Sequence, residues 1–296
     1  MSVREAVFGG YRRVVRAFTG TGVGAWPPVR AAHSWVMRRT KPDIVSINGR
    51  RMYTDDVDSL GLTLYGSYET FSTDLCRRHI KPGDVVLDIG ANIGYYTLLF
   101  AECAGPNGRV YAFEPEPVNF GVLERNVRLN DVSCAVLERK AVADFDGALR
   151  LSVSSHNRGD HRVMDARAGR EFVEVPAVRI DSYAREMRPS FIKMDIQGAE
   201  GLALRGMRDT LCRSTGVKLL MEFWPRRLAE CGCGPGECLD ILAQAGLEVY
   251  AVDDAAGRLA PMSRAGLLAG ADDQWNLLAL PAGTPAGNVP GVRHSG

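Results

Sequence analysis

The chain has 296 residues, 46% hydrophobic and 24% charged, the balance of a protein that buries a large core and not of a disordered or fibrous one. Its 36 Lys and Arg face 35 Asp and Glu, so a net charge of +1 supplies no general field for a polyanion and argues against nucleic acid as a partner. Seven cysteines without a disulfide rhythm, no secretory leader and no apolar run of the roughly 18 residues that a membrane span needs read as a cytoplasmic chain with reduced thiols.

Residues 1–42 form a basic, mainly helical extension. Eight Arg or Lys stand against the single acid Glu5 before Pro42. The spacing of Val7, Tyr11, Val14, Val15 and Phe18 predicts one helix, and "VRAAHSWVMRR" a second. Such an extension suits a lid or an oligomer arm with a solvated basic face; the other reading is peripheral contact with an acidic membrane surface. From Asp43 strands and turns take over, with "NGR" as a hairpin turn. "SYETFSTDLCRRHI" follows as a helix, and β and α patterns alternate to about residue 280, the signature of an α/β domain with a doubly wound parallel sheet over 43–280. Residues 281–296, rich in Pro and Gly, read as a flexible tail.

The stretch "VVLDIGANIGYYTLLF" is a buried strand, a turn and a helix restart. Ligands bind at such strand-to-helix turns, where the helix N-terminus offers free N–H groups. Asp88 is expected at the mouth of this turn, where a carboxylate would repel a pyrophosphate but suits a ligand that carries an ammonium and a sulfonium, S-adenosyl-L-methionine. On this reading Asp88, Gly90, Ala91, Asn92 and Gly94 belong to a cofactor pocket. Glu114, twenty residues past Gly94 at the end of the second strand, has the spacing of an acid that reaches ribose hydroxyls, and Asp144, after the third, is placed to accept from an adenine amino group. Each acid also has an ordinary reading as a turn or loop charge.

The segments "VLDIGANIGYYTLLFA", "VYAFEPEPVNFGVLERNVRLN", "AVAD", "VRIDSYAREMRPSFIKMDIQGAEGLALRGM" and "LLMEFWP" resemble the FkbM family of S-adenosylmethionine-dependent methyltransferases over about residues 70–280. The resemblance implies a class I methyltransferase fold, Rossmann-like, with a seven-stranded sheet whose last strand is antiparallel. It also implies methylation of a hydroxyl on a sugar, glycolipid or polyketide-like acceptor. Gln197 departs from the pattern, which usually carries Glu there.

An alcohol acceptor must lose a proton. Asp195, at the end of the "FIKMD" strand, and Glu222, at the rim of the "KLLMEF" strand, are the candidate catalytic residues. They would act either as a general base or as joint ligands of a divalent metal, Mg or Mn. The structural alternative pairs Asp195 with mid-strand Lys193. Glu200 reads as a helix-dipole partner and Asp181 as a helix N-cap. Between the third and fourth strands a β-hairpin insertion carries a polar centre. There His156 and His161 compete as bases, and Asn157, Arg158 and Asp160 are candidates for acceptor binding, against the reading of a solvated loop. Cys231, Cys233 and Cys238 lack a CxxC pair and a fourth ligand, so incidental thiols are preferred to zinc. Two other functions stay open. A nicotinamide oxidoreductase would need a G-x-G-x-x-G where "DIGANIG" stands, and a non-catalytic nucleoside-binding module would lack the rim carboxylates.

Overall fold

The computed structural model describes residues 3–23, 26–56, 58–153, 162–163 and 171–284. Its centre is a sheet of eight strands: β1 (Val85–Ile89), β2 (Arg109–Phe113), β3 (Ala135–Glu138), β4 (Phe191–Met194), β5 (Lys218–Phe223), β6 (Leu247–Asp253), β7 (Arg258–Pro261) and β8 (Trp275–Pro281). They lie in the order β7-β6-β8-β5-β4-β1-β2-β3. The run from β3 through β1 to β5 is parallel, and β8 enters antiparallel between β5 and β6. The last strand is therefore antiparallel, as the resemblance implied, but the strands number eight and not seven. The additional one, β7, folds back on β6 as an edge hairpin closed by Asp253, whose Oδ1 accepts the N–H of Ala256 at 2.9 Å. Of β7 only Leu259 is buried, and one inward residue in four gives almost no periodic signal.

β1 is apolar on both faces because both faces are covered. Val86 packs with Leu75, Tyr96, Phe100 and Leu123 from the helices Thr70–His79, Tyr95–Ala104 and Pro117–Leu129. Leu87 and Ile89 point the other way, into a core with Ala203, Leu211 and Leu242 from Glu200–Arg205, Arg208–Arg213 and Pro235–Gln244. The insertion between β3 and β4 is a β-hairpin in a small second sheet: Gly147–Val153 pairs antiparallel with Glu171–Val178, and Ala141–Val142 and Arg162–Val163 extend it. Its polar centre, with His156, Asn157, Arg158, Asp160 and His161, lies outside the described residues.

Ahead of the sheet stand the helices Val3–Phe18 and Pro27–Thr40 and the hairpin Ile44–Ile47 with Arg50–Tyr53, turned at Asn48 and Gly49. Asn126 pins this hairpin to the domain. Its Oδ1 accepts the N–H of Tyr53 at 2.7 Å, and its Nδ2 donates to the carbonyls of Tyr53 and of Ile93, in the loop after β1. Asp181 does not cap its own helix: its carboxylate accepts the N–H groups of Asp209 and Thr210, at the start of Arg208–Arg213. Cys233 and Cys238 bring their sulfurs to 3.5 Å in the core beside Gly201, without a disulfide.

Candidate active site

β1 and β4 are adjacent in space, yet the chain leaves β1 toward β2 on one side and reaches β4 only after β3, so the sheet changes direction between them. A crevice opens at the carboxyl ends of the strands there. Gly90 makes the turn possible. It holds φ +83°, and a Cβ on it would stand 2.1 Å from the carbonyl oxygen of Asp195. Gly94, at φ +93°, caps the helix Tyr95–Ala104. Its tight neighbour is Leu123 of the next helix, so it serves helix–helix contact.

The cleft above this turn is lined by Gly90 and Asn92 from the β1 end, Glu114 and Pro115 from the β2 end, Lys140 to Val142 after β3, and Asp195 to Gln197 after β4. Glu114 is organised by backbone. Its Oε2 accepts the N–H of Asn92 at 2.8 Å and its Oε1 that of Glu116 at 2.9 Å. Burial nonetheless pushes its carboxyl up to about 7, against the pull of those two bonds. Ala91 is buried in the turn and donates its N–H to the carbonyl of Phe113.

Asp88 is not at the mouth. Strand alternation turns it away from the Ile89 side and buries it completely in the other core, where Oδ2 accepts from the hydroxyl of Thr97 at 2.6 Å. Its Oδ1 has no partner among the described residues. Burial pushes this carboxyl up to about 6, and the Lys193 charge opposes the rise. Asp144 also lies away from the cleft walls: Arg205 Nη1 stands 3.6 Å from its Oδ2, so Lys140, Ala141 and Val142 form the wall where Asp144 was expected.

Both oxygens of Asp195 are engaged. Lys193 Nζ donates to Oδ2 at 3.2 Å and Gln197 Nε2 to Oδ1 at 3.0 Å. Gln197 thus supplies a donor where the family's usual Glu would bring a second negative charge. Glu200 is buried, and its two oxygens accept the N–H groups of Ile196 and Gly198 at 2.9 Å each, stitching together the loop that follows Asp195. Its role goes beyond the helix dipole: it fixes the backbone that carries Asp195. Glu222, next door at the end of β5, is 5% exposed and is not among the residues lining the cleft. Its Oε1 accepts from Gln274 Nε2 and its Oε2 has no partner among the described residues. Burial first, and then the charges of Asp195 and Glu200, push it up to about 9.

Sequence reasoning missed Glu69, which joins the buried charge cluster around Lys193 without lining the cleft. Tyr96 donates its hydroxyl to Glu69 Oε2 at 2.7 Å, and the Lys193 ammonium stands 4.6 Å from the Tyr96 ring centroid. Burial raises the Glu69 carboxyl while Lys193 draws it down. The signal was present in "SYETF", an acid flanked by aromatics, but it was absorbed into the following helix. The structure starts that helix at Thr70, with Glu69 in a left-handed conformation at φ 39°.

Residues 88–232 match the family model of the Methyltransferase FkbM domain. Over that stretch, just under half of its length, the chain is similar to the FkbM methyltransferases. Its similarity to the 31-O-demethyl-FK506 methyltransferase FkbM of Streptomyces tacrolimicus is 43% identity over 89 residues, 29% of this chain and 34% of that protein. To the Methyltransferase sdnD of Sordaria araneosa it is 27% over 133 residues, 44% of this chain and 51% of that protein. The matched stretches span about a third and about a half of these two curated relatives. Among solved structures, the Methyltransferase FkbM from Methylobacillus flagellatus aligns over 75% of this chain and 52% of its own, with 17% identity and a TM-score of 0.42.

Proposed function

We propose that this FkbM-like domain transfers a methyl group from S-adenosyl-L-methionine to a hydroxyl oxygen of a small-molecule acceptor, a sugar, glycolipid or polyketide-like natural product. The observation that carries the reading is the Glu114 carboxylate, fixed by the N–H groups of Asn92 and Glu116 on the wall of a cleft that also contains Asp195. A carboxylate held this way has lone pairs left for vicinal ribose hydroxyls. The charge balance supports a cationic ligand. The cleft walls carry the carboxyl groups of Asp195 and Glu114 against one ammonium, Lys140, and negative charge there attracts a sulfonium while repelling a dinucleotide's pyrophosphate. This disfavours the nicotinamide alternative. A relative named for a 31-O-demethyl substrate supports oxygen as the acceptor atom.

The cofactor supplies an already activated methyl group. The chain must align the acceptor, exclude water and take a proton. Asp195 has the geometry to take that proton, because it is held from both sides on the strand end nearest the turn, with a quarter of its side chain exposed toward the cleft. A divalent metal does not fit as well. The Lys193 ammonium occupies one face of Asp195, and among the described residues no group of three or more His, Cys, Asp or Glu side chains is arranged to hold an ion, the three cysteines included.

The test is calorimetric titration with S-adenosylhomocysteine and with NAD, followed by incubation with methyl-labelled cofactor and candidate hydroxyl acceptors. Binding of the first ligand alone and a methyl ether in the product support the reading. Preferential NAD binding, or label on nitrogen or carbon, would sink it.

A further inference from the structure

The Val3–Phe18 and Pro27–Thr40 helices take no part in the central sheet or the cleft, and their surface is unusual. Between them runs a groove of about 740 Å³ lined by Val14, Val15, Phe18, Val29, Val36 and Tyr65. Its floor is a small apolar cluster of Phe8, Met37 and Leu64. Large exposed hydrophobic side chains concentrate here: Val7, Val14, Phe18 and Trp35 lie on the two helices and Val23 and Trp26 on the segment that joins them, Trp26 at 65% and Trp35 at 56% exposure. Trp on a surface costs hydrophobic free energy unless something covers it.

The same two helices are strongly basic, with Glu5 their one acid. Residues 7–41 contain seven Arg or Lys and no Asp or Glu. Arg12, Arg13, Arg30, Arg38 and Arg39 are exposed. Arg39 stacks over the Trp35 ring at 4.9 Å, which presents an aromatic face and a guanidinium side by side. The pair is held as a unit and anchored to the domain: Tyr11 Oη meets His33 Nδ1 at 2.5 Å, and Arg16 donates to the carbonyls of Leu64 and Tyr65. A second copy of the chain is a poor cover for this face, since it would bring a matching excess of arginines against it.

We propose that this helix pair is a docking surface for an anionic phospholipid bilayer. Phe18, Trp26 and Trp35 enter the headgroup and acyl boundary, and the exposed arginines lie on the lipid phosphates. The combination of short basic helices, an apolar stripe and interfacial Trp is what a helix lying in the plane of a membrane requires. Such docking brings the cleft to acceptors dissolved in or made at the membrane, and it is independent of which acceptor the cleft takes.

The test uses the full chain and sedimentation with extruded vesicles, equimolar phosphatidylcholine and phosphatidylglycerol against phosphatidylcholine alone. The chain is expected to partition onto the anionic vesicles only and to leave them as salt rises. Each of Arg12→Gln and Arg13→Gln should weaken partition about fivefold, and Trp26→Ser with Phe18→Ser should weaken it while thermal melting of the domain is unchanged. Brominated lipid should quench Trp fluorescence, and the quenching should vanish in the Trp26→Phe, Trp35→Phe double variant. Equal partition onto both vesicles, or partition indifferent to the arginine changes, would overturn the proposal. So would a dimer in light scattering that Phe18→Ser and Trp26→Ser dissociate while vesicles retain no protein.

Discussion

Lys193 on β4 stands in register opposite Asp88 on β1, in the middle of the sheet. Both side chains face the core that holds Tyr96 and Phe100, where the Lys193 ammonium also meets Asp195 and the Tyr96 ring. The surrounding carboxylates of Asp195, Glu69 and Asp88 hold it above the ordinary lysine range despite its burial, which alone would lower it. One buried cation thus balances several buried acids, and removing it leaves them uncompensated.

Lys193→Met therefore should cost about 3–5 kcal/mol of stability, the range for a buried ion pair broken from one side. Urea denaturation of the two proteins measures it. A loss under about 1 kcal/mol would show that the acids take up protons without penalty and that Lys193 is not their organiser.

Glu114→Ala removes the carboxylate that the turn after β1 holds in place. Each hydrogen bond to a charged group contributes about 1.5–3 kcal/mol, so losing two to a ribose should weaken S-adenosylhomocysteine binding by between about a hundredfold and ten-thousandfold. Glu114→Gln, which keeps one acceptor, should fall between the two. Calorimetry on proteins with matched circular dichroism spectra decides it, and undiminished affinity for Glu114→Ala removes Glu114 from the site.

The parts of this molecule that were legible in the sequence are those with a period or a fixed spacing. β1 and its glycine turn, the acid ending β2 and the Asp195 strand end were legible because buried strands are continuous apolar runs and turns punctuate them. Asp88 was misplaced because a strand's last carboxylate looks the same whether alternation aims it at solvent or into the core; only the packing of Thr97 and Lys193 around it tells them apart. Asp144 was misjudged for a related reason. Its ion pair with Arg205 joins residues far apart in sequence, and no local pattern announces that. Glu69 escaped because its importance comes from Tyr96 and Lys193, each on a different element.

Four buried carboxyls share one sign of shift, and this sets a pH dependence. Asp88 is pushed up to about 6, Glu114 and Glu200 to about 7 and Glu222 to about 9, from ordinary values of 3.8 for Asp and 4.5 for Glu. Each binds its proton more tightly in the folded chain than in the unfolded one. Their contribution is fully present below the unfolded values and is lost as pH rises through the folded ones, so the ligand-free protein should become less stable between about pH 5 and 9. Thermal melts at pH 5.5 and 8.5 should differ by several degrees, the lower pH giving the higher Tm. Glu222→Gln should flatten the upper part of that window. A Tm that climbs with pH would overturn this reading, since the surface acids with lowered values, Glu138 and Glu237 among them, are ionised in both states over that interval.

The sharpest test of the site is Asp195→Asn. Asn keeps the size of the side chain but loses the charge, so the Lys193 and Gln197 contacts are weakened while the fold keeps its shape. Cofactor affinity should change little, because on the proposed reading Glu114 and the β1 turn hold the nucleoside, and Glu114 does not depend on Asp195 for its hydrogen bonds. Turnover should fall about a hundredfold or more, the usual contribution of a positioned base to a proton transfer. Gln197→Leu offers an intermediate case: Asp195 keeps its charge and Lys193 but loses one of the two donors that orient it, so kcat should fall by about tenfold with KM nearly unchanged. Dialysis against a chelator should leave the rate unaltered, since the donors around Asp195 include an ammonium. If Asp195→Asn turns over normally while Glu222→Gln does not, the proton goes to β5 and Asp195 serves only to balance Lys193. If both variants are active and His156→Ala or His161→Ala is not, the base belongs to the insertion.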